Sequence, residues 1–383
     1  MEFAWTADQL KFRESVVAFA QRDLNADVLA RDAAGELPRD LWKKCAEFGI
    51  HGLPIPEEYG GTNTDPVTTM LAMEALGYGC RDNGLLFAIH AHMWSIEIPI
   101  LRFGTEEQKR RYLPRLVDGT WIGAHGMTEP NSGSDAFSLS TRAVRKGDRY
   151  VLNGTKTFIT NAPVSDLALV FATVDQKKGI WGVTAFLIER GTKGFSVGKK
   201  TEKMGLHTSP MAELILEDCE VPASSILGKE GLGHAIFNHS MGWERSCILA
   251  STVGAMDRQL ETCIRYASER EQFGKPIGSF QLVASRIVDM KVRLETARLL
   301  LYKTAWTHSQ QTLTPLDAAL AKLYISEAAV QSALDAMQIY GGYGYMKEFE
   351  VERDLRDVLA GRLYSGTSDI QRLIIGRNLG LSV

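Results

Sequence analysis

The amino-acid sequence predicts an α+β chain laid out in the order helices, sheet, helices. Apolar residues recur at helical spacing from Thr6 to about Leu116. From about Trp121 to Pro222 the period shortens to that of strands, and from about Gly231 the helical period returns. These shifts place an N-terminal α-helical domain at residues 1–120, a middle β domain at 121–229 and a C-terminal helical domain at 230–383. A chain of 383 residues is also too long for one ordinary core, which calls for sub-domains.

Each part has its own signals. In the first, Leu10, Val17 and Leu24, then Leu41, Cys45 and Phe48, mark buried helix faces, and "TADQ" and "TEEQ" read as helix starts capped by threonine. In the second, "YVLNGTKTFIT" (Tyr150–Thr160) reads as two short strands around an Asn-Gly turn. The runs "LALVFATV", "GVTAFLIE" and "AELILEDCEV" supply further strands. The third part holds long helical stretches such as "QLVASRIVDMKVRLETARLLLYKTAW" and "LDAALAKLYISEAAVQSALDAMQIYGG", the latter stopped by two glycines.

Composition removes several classes of function. The formal charge of −3 comes from 43 basic and 46 acidic residues spread along the chain, which gives no electrostatic footprint for nucleic acid. The densest basic run, "QKRRY" (Gln108–Tyr112), comes after an acidic helix start and reads as a solvated face. Five widely spaced cysteines without a CxxC pair suit a reducing, cytoplasmic setting. The N-terminus lacks the basic start and apolar run of a signal peptide, and no segment approaches the ~18 uninterrupted apolar residues of a membrane span, so no membrane partner is expected.

Motif searches narrow the field further. "GGYGYMKE" has Lys347 where a third glycine would complete a dinucleotide fingerprint, and it comes after a helix rather than a strand. There is no GxxxxGK[ST], HExxH or GxSxG. His90 and His92 form an HxH pair in an apolar helical run without ligand-spaced partners, so they read as core or substrate-wall residues and not as metal ligands. There remains a set of glycine- and hydroxyl-rich loops: "MTEPNSGSD", "FITNAP", "REQFGKPI", "QIYGGYGY" and "YSGTSDIQ". Each alone fills an ordinary turn, but together they suit a long phosphorylated ligand met by backbone N–H groups and an arginine.

Those five segments, in this order and across essentially the whole chain, resemble the acyl-CoA dehydrogenase flavoproteins through "TEPxxGSD", "RxxFGxxI", "GGxGY" and "GTSxIQ". The resemblance implies an N-terminal helical domain, a middle β-sheet or barrel domain and a C-terminal four-helix bundle around bound FAD. Thr128 and Thr160 would hydrogen-bond the flavin ring, Phe158 would cover one face, and Ser134 would lie beside the pyrophosphate. Arg270, Gln272 and Phe273, with Gln338, Gly341 and Gly342, would meet the pyrophosphate and adenosine of FAD reached from a neighbouring subunit, and Thr367 and Asp369 would complete the cradle. A homo-oligomer, typically a tetramer, is thereby implied.

The same resemblance raises a question of chemistry. Oxidising an acyl thioester at Cα–Cβ needs a base for the α-proton and a polarised carbonyl. Many members carry a glutamate just before the turn glycine, where this chain has Ser365. A second branch places it on another helix, and here "MGWERSCILAS" offers Glu244, with Arg245 beside it as support. The Ser365 backbone N–H, together with a ribityl hydroxyl of FAD, would still form the carbonyl-oxygen hole. Ala162-Pro163, Trp243 and "YSGT" look like the branch that oxidises L-prolyl groups on a carrier protein in secondary metabolism, with His90, His92, Trp94 and Trp243 as pocket wall. An isovaleryl-like short or branched acyl-CoA dehydrogenase, a nitroalkane-oxidase-like flavin oxidase and a flavin-bearing scaffold are the alternatives. Reduced flavin would pass electrons to an electron-transfer flavoprotein or to O2.

Overall fold

The structure, a computed structural model, describes residues 4–382. Seven helices come first: α1 (Ala7–Asp23), α2 (Val28–Ala34), α3 (Arg39–Glu47), α4 (Pro66–Gly79), α5 (Asn83–His92), α6 (Ile98–Phe103) and α7 (Glu106–Val117). Both expected helix starts are capping boxes, Thr6 with Gln9 at α1 and Thr105 with Gln108 at α7. The α1 core face is Val16, Phe19 and Ala20, continued by Leu24, whereas Leu10 is 43% exposed. A seven-residue spacing drifts by about 20° per heptad on a straight helix, which carries Leu10 off the buried stripe. Arg110 and Arg111 of the basic run are exposed and paired with Glu106 and Glu189, as a solvated face requires.

The strands are β1 (Gly123–Gly126), β2 (Arg142–Lys146), β3 (Arg149–Thr160), β4 (Leu167–Thr173), β5 (Val183–Glu189), β6 (Phe195–Val197), β7 (Met211–Pro222) and β8 (Ile226–Leu227). They form one sheet in the order β6-β7-β3-β2-β4-β5-β8, with β1 alongside β4. Every residue of β4 is buried, which explains its unbroken apolar run. The Asn-Gly pair is not a turn. Strand β3 continues through it, and the register slips between Leu152 and Gly154. Gly154, at φ +149°, lies so close to Thr141 that a Cβ would come within 2.4 Å of its Oγ1. The Asn153 side chain instead exchanges hydrogen bonds with Asp218 across the bulge, and the actual hairpin turn is at Gly147, φ +65°.

The remaining helices are α8 (Gly233–Cys247), α9 (Ala250–Glu269), α10 (Gln281–Ser309), α11 (Pro315–Tyr340), α12 (Val351–Leu359) and α13 (Ser368–Asn378), with a small hairpin of β9 (Glu271–Gln272) and β10 (Lys275–Pro276) between α9 and α10. The two helical parts share one core drawn from α1, α3, α4 and α5 on one side and α8 to α11 on the other. Helices α4 and α9 cross so closely that a Cβ on Gly77 would meet the Ser251 carbonyl oxygen at 1.9 Å, and one on Gly254 the Glu74 carbonyl oxygen at 1.9 Å. All five cysteines are free and buried. The stretch Asn83–Phe103 is long and apolar enough to cross a membrane by length and composition, but 83% of that window is buried inside the protein, as in a core helix.

Candidate active site

Helix α8 carries Glu244 into the region where the first helical part, α11 and the turn before α13 meet. Burial lifts its carboxyl from the usual 4.5 to about 7, against the opposing pull of the Ser95 hydroxyl, Arg245, the Ser365 hydroxyl and Lys322. A carboxylate in that range is tuned as a base for neutral pH. Nearby, burial first and then the Glu244 charge drive the Tyr364 hydroxyl well up, so it stays protonated.

The turn Ser365–Gly366 is made of two successive left-handed residues, φ +54° and +88°. Its two carbonyls are held from behind. Arg245 Nε donates to the Ser365 oxygen at 3.1 Å, and Gln371 Nε2 to the Ser365 and Gly366 oxygens at 3.2 and 2.8 Å. Lys322 Nζ donates to the Gly366 oxygen at 2.8 Å. Thr367 caps α13 through the N–H of Ile370, while Asp369 pairs with Arg372 in solvent. Sequence reasoning brought Glu244, Arg245 and Ser365 together, and the fold does the same. It missed Lys322, although a lone lysine in the apolar run "AALAKLYISEAA" is itself a sign of a buried cation with a task.

The first helical part contributes through a π-helical turn, Met93–Glu97, between α5 and α6. Ser95 of that turn reaches Glu244, and Trp94 stacks on Trp243 with ring centroids 5.8 Å apart. His308 also stacks on Trp243, with ring centroids 4.0 Å apart. The two sequence-singled histidines are placed differently. His90 is buried with Nδ1 accepting from Trp94 Nε1 at 2.8 Å and Nε2 on Ser251 Oγ at 2.9 Å. His92 lies in the core cluster with Trp42 and His51, its Nδ1 accepting from the Gly123 N–H at 2.9 Å and its Nε2 3.1 Å from Glu97. Both rings spend their nitrogens on the protein, so they orient Trp94 and β1 instead of offering a ring nitrogen to a ligand.

On the sheet side, Thr128 precedes Glu129, whose carboxylate is wholly buried and ion-paired to Lys156 Nζ at 2.7 Å. Burial alone would raise the Glu129 carboxyl, but Lys156 and hydrogen bonds from Ser140 and Thr141 outweigh it and hold the group well below its usual range. This pair, with the Thr157 N–H on the Thr128 carbonyl at 2.9 Å, ties the Thr128 loop to β3. A register slip between Lys156 and Ile159 turns Phe158 outward at φ +58°, leaving it 65% exposed beside Thr160. Ser134 is exposed in the loop after Glu129. A cleft of about 660 Å³ between α7 and the ends of β5 and β7 shares no residue with the Glu244 cluster.

Family models cover nearly the whole chain: the acyl-CoA dehydrogenase N-terminal domain matches residues 6–120, the middle domain 124–219 and the C-terminal domain 231–380. The chain is a member of the acyl-CoA dehydrogenase family. An L-prolyl-[peptidyl-carrier protein] dehydrogenase of Serratia sp. is 44% identical over 381 residues, covering 100% of this chain and 99% of the relative. A solved prolyl acyl carrier protein oxidase, AnaB, superimposes with a TM-score of 0.98 at 52% identity, over 99% of this chain and 100% of that one. PigA, solved with FAD and proline, superimposes with a TM-score of 0.97 at 43% identity, over 100% of both chains.

This acyl-CoA dehydrogenase relative is thus an FAD-dependent oxidoreductase of acyl thioesters, and its residues suit that cofactor. Phe158 offers an outward aromatic face next to two threonines, as a flat ring requires. At the other end, Arg270 lies over the Tyr343 ring at 5.4 Å, which brings "REQF" to the "GGYGY" loop. Phe273, at φ +52°, is 93% exposed, and Gln272 and Gln338 are exposed with it. A Cβ added at Gly341 or Gly342 would meet nothing within 4 Å, so that loop is open to close approach by a ligand.

Proposed function

We propose that the enzyme oxidises an L-prolyl group held as a thioester on a carrier protein, with Glu244 removing the α-proton. The observation that carries this reading is a single carboxyl lifted to about 7 beside a turn that has no carboxylate of its own. Glu244 takes the proton onto its carboxylate while the Ser365 N–H donates to the carbonyl oxygen of the thioester, and Arg245, bonded to the Ser365 carbonyl, steadies that turn. The chemistry that FAD supplies when bound is acceptance of the β-hydride at N5. Thr128, Phe158 and Thr160 would hold its ring, and Ser134, Arg270, Gln272, Phe273, Gln338, Gly341, Gly342, Thr367 and Asp369 would hold the rest. Trp94 and Trp243, stacked on one another beside Glu244, would lie against the acyl group. The similarity to L-prolyl carrier-protein dehydrogenase supports this choice of acyl group. The working form is a cytoplasmic homotetramer whose electrons leave to a flavoprotein or to O2.

The test is an anaerobic titration with L-prolyl carrier protein, isovaleryl-CoA and butyryl-CoA in parallel, tracking the visible absorption of the flavin. Bleaching by the prolyl carrier protein alone is expected. Bleaching by an acyl-CoA alone overturns the substrate and returns the protein to short-chain or branched acyl-CoA oxidation.

A further inference from the structure

Between α5 and α6 the chain makes one wide turn, Met93–Glu97, closed by the Ile98 N–H donating to the Met93 carbonyl. Winding alone does not decide which turn of a helix takes an extra residue, so side chains must pin it here. His92 and Glu97 stand five positions apart, with His92 Nε2 3.1 Å from Glu97 Oε1. On an α-helix such residues point about 140° apart, since each residue turns the chain by about 100°. The wide turn brings the two onto one face, and their contact in turn favours the wide turn over α winding. The ring is also fixed from outside the helix. Its Nδ1 accepts from the Gly123 N–H of β1 at 2.9 Å, which leaves the proton of a neutral ring on Nε2, facing Glu97 and the Leu116 carbonyl oxygen at 3.2 Å. Both side chains are wholly buried, and burial raises the Glu97 carboxyl, which favours its neutral form.

What this turn presents to α8 is Ser95, buried, with its hydroxyl on the Glu244 carboxyl. Other buried helix serines turn back onto their own helix: Ser240 donates to the Phe237 carbonyl, Ser246 to that of Gly242 and Ser326 to that of Leu323. Ser95 spends its hydroxyl on another helix instead. We propose that Ser95 is a further catalytic residue that donates to the Glu244 carboxylate, and that His92 and Glu97 are positioning residues that pin the wide turn so that it stays there. The inference rests on the reading that Glu244 is the base. The other groups that act on Glu244 are Arg245 on its own helix, Lys322 of α11, and Tyr364 and Ser365 of the turn before α13. None of these comes from the helices before the sheet, so among the described residues Ser95 is the contact that the pin can govern.

The readout is the rate of flavin bleaching against pH, followed anaerobically with whichever thioester bleaches the native enzyme. A hydroxyl that donates to a carboxylate favours its ionised form, so Ser95→Ala should move the rising limb up from about 7 by about 1 pH unit. On the limb the rate falls about 10-fold while the plateau at high pH is kept, a pattern that general loosening of the fold does not give. Ser95→Thr, which keeps a hydroxyl, should recover most of the shift. Glu97→Leu should move the limb as Ser95→Ala does. It should also abolish the near-ultraviolet circular dichroism of the stacked Trp94–Trp243 pair, taken as the difference from Trp243→Phe. Glu97→Gln, which still accepts from His92, should restore both in large part. Ser95→Ala/Glu97→Leu should move the limb no further than Ser95→Ala alone. An unmoved limb in Ser95→Ala overturns the role of Ser95 even if Glu97→Leu fails to fold, and a double variant that shifts further overturns the pin. Undiminished bleaching by Glu244→Gln sinks the base assignment instead, and the dichroism of Glu97→Leu then judges the pin by itself.

Discussion

The two ends of the site are built on opposite plans. Around Glu244 the polar groups are closed off within one chain: Ser95, Arg245, Lys322, Ser365 and Gln371 come from four separate stretches and meet on one carboxyl and one turn. At the far end of the bundle, the β9–β10 hairpin and the "GGYGY" loop hold Arg270, Phe273, Gly341 and Gly342 in the open, with Phe273 93% exposed. The groups around Glu244 are therefore assembled by this chain's own packing. If that open end takes the adenosine half of FAD as proposed, a second subunit would be needed to cover it, whereas the groups around Glu244 are already assembled within one chain.

That contrast breaks most sharply at Glu244. Glu244→Gln should slow flavin bleaching by substrate by roughly 10³-fold or more, with flavin content unchanged in the purified protein. Loss of flavin along with the rate would mean the two ends are not independent. Next in size is the buried pair on the sheet side. Lys156→Met leaves Glu129 charged and unpaired, and unfolding in urea should show a loss of about 3–5 kcal/mol. An unchanged midpoint would remove the pair from any part in holding Thr128.

The raised Glu244 carboxyl has a stability cost whose sign can be worked out. Its folded pKa of about 7 lies above the unfolded value of 4.5, so the folded chain holds the extra proton between them. Stability is then greatest below about pH 4.5 as far as this group is concerned, and falls as pH rises toward about 7, by at most roughly 3 kcal/mol. Glu244→Gln should flatten that slope and raise the melting temperature at pH 8, and a slope that persists would assign the cost elsewhere. In the active protein the rate should climb over the same window as the carboxyl loses its proton. The smallest effect belongs to the open end. Arg270→Ala and Phe273→Ala should each weaken flavin retention about 10-fold, and the rate limb near pH 7 should not move. A shifted limb would show the open end speaking to the base.

Legibility in the sequence divides along similar lines. The helix-sheet-helix order, both capping boxes and the candidate base could be read because each depends on local spacing or on one short segment. The Asn153-Gly154 pair misled because its turn preference is local, while the bulge against Thr141 and Asp218 is set by strands far away in the chain. His92 looked like pocket wall because an HxH pair shows its residue types but not which way the rings turn. Ser95, Lys322 and Gln371 went unread for a related reason. Their importance lies in contacts spanning from 5 to about 150 residues, formed only when three helical elements close on one another.

The wide turn Met93–Glu97 carries one more consequence. A π-turn accommodates one residue more than an α-turn over much the same rise, so it rotates the downstream helix by about 100° against the register before it. Ser95 and Trp94 owe their places beside α8 to that extra residue, and Ile98 and Ile100 beyond it still reach the core. In genetic terms the difference is one codon. Removing one residue there would return the turn to α-helical winding and turn Trp94 and Ser95 away from α8.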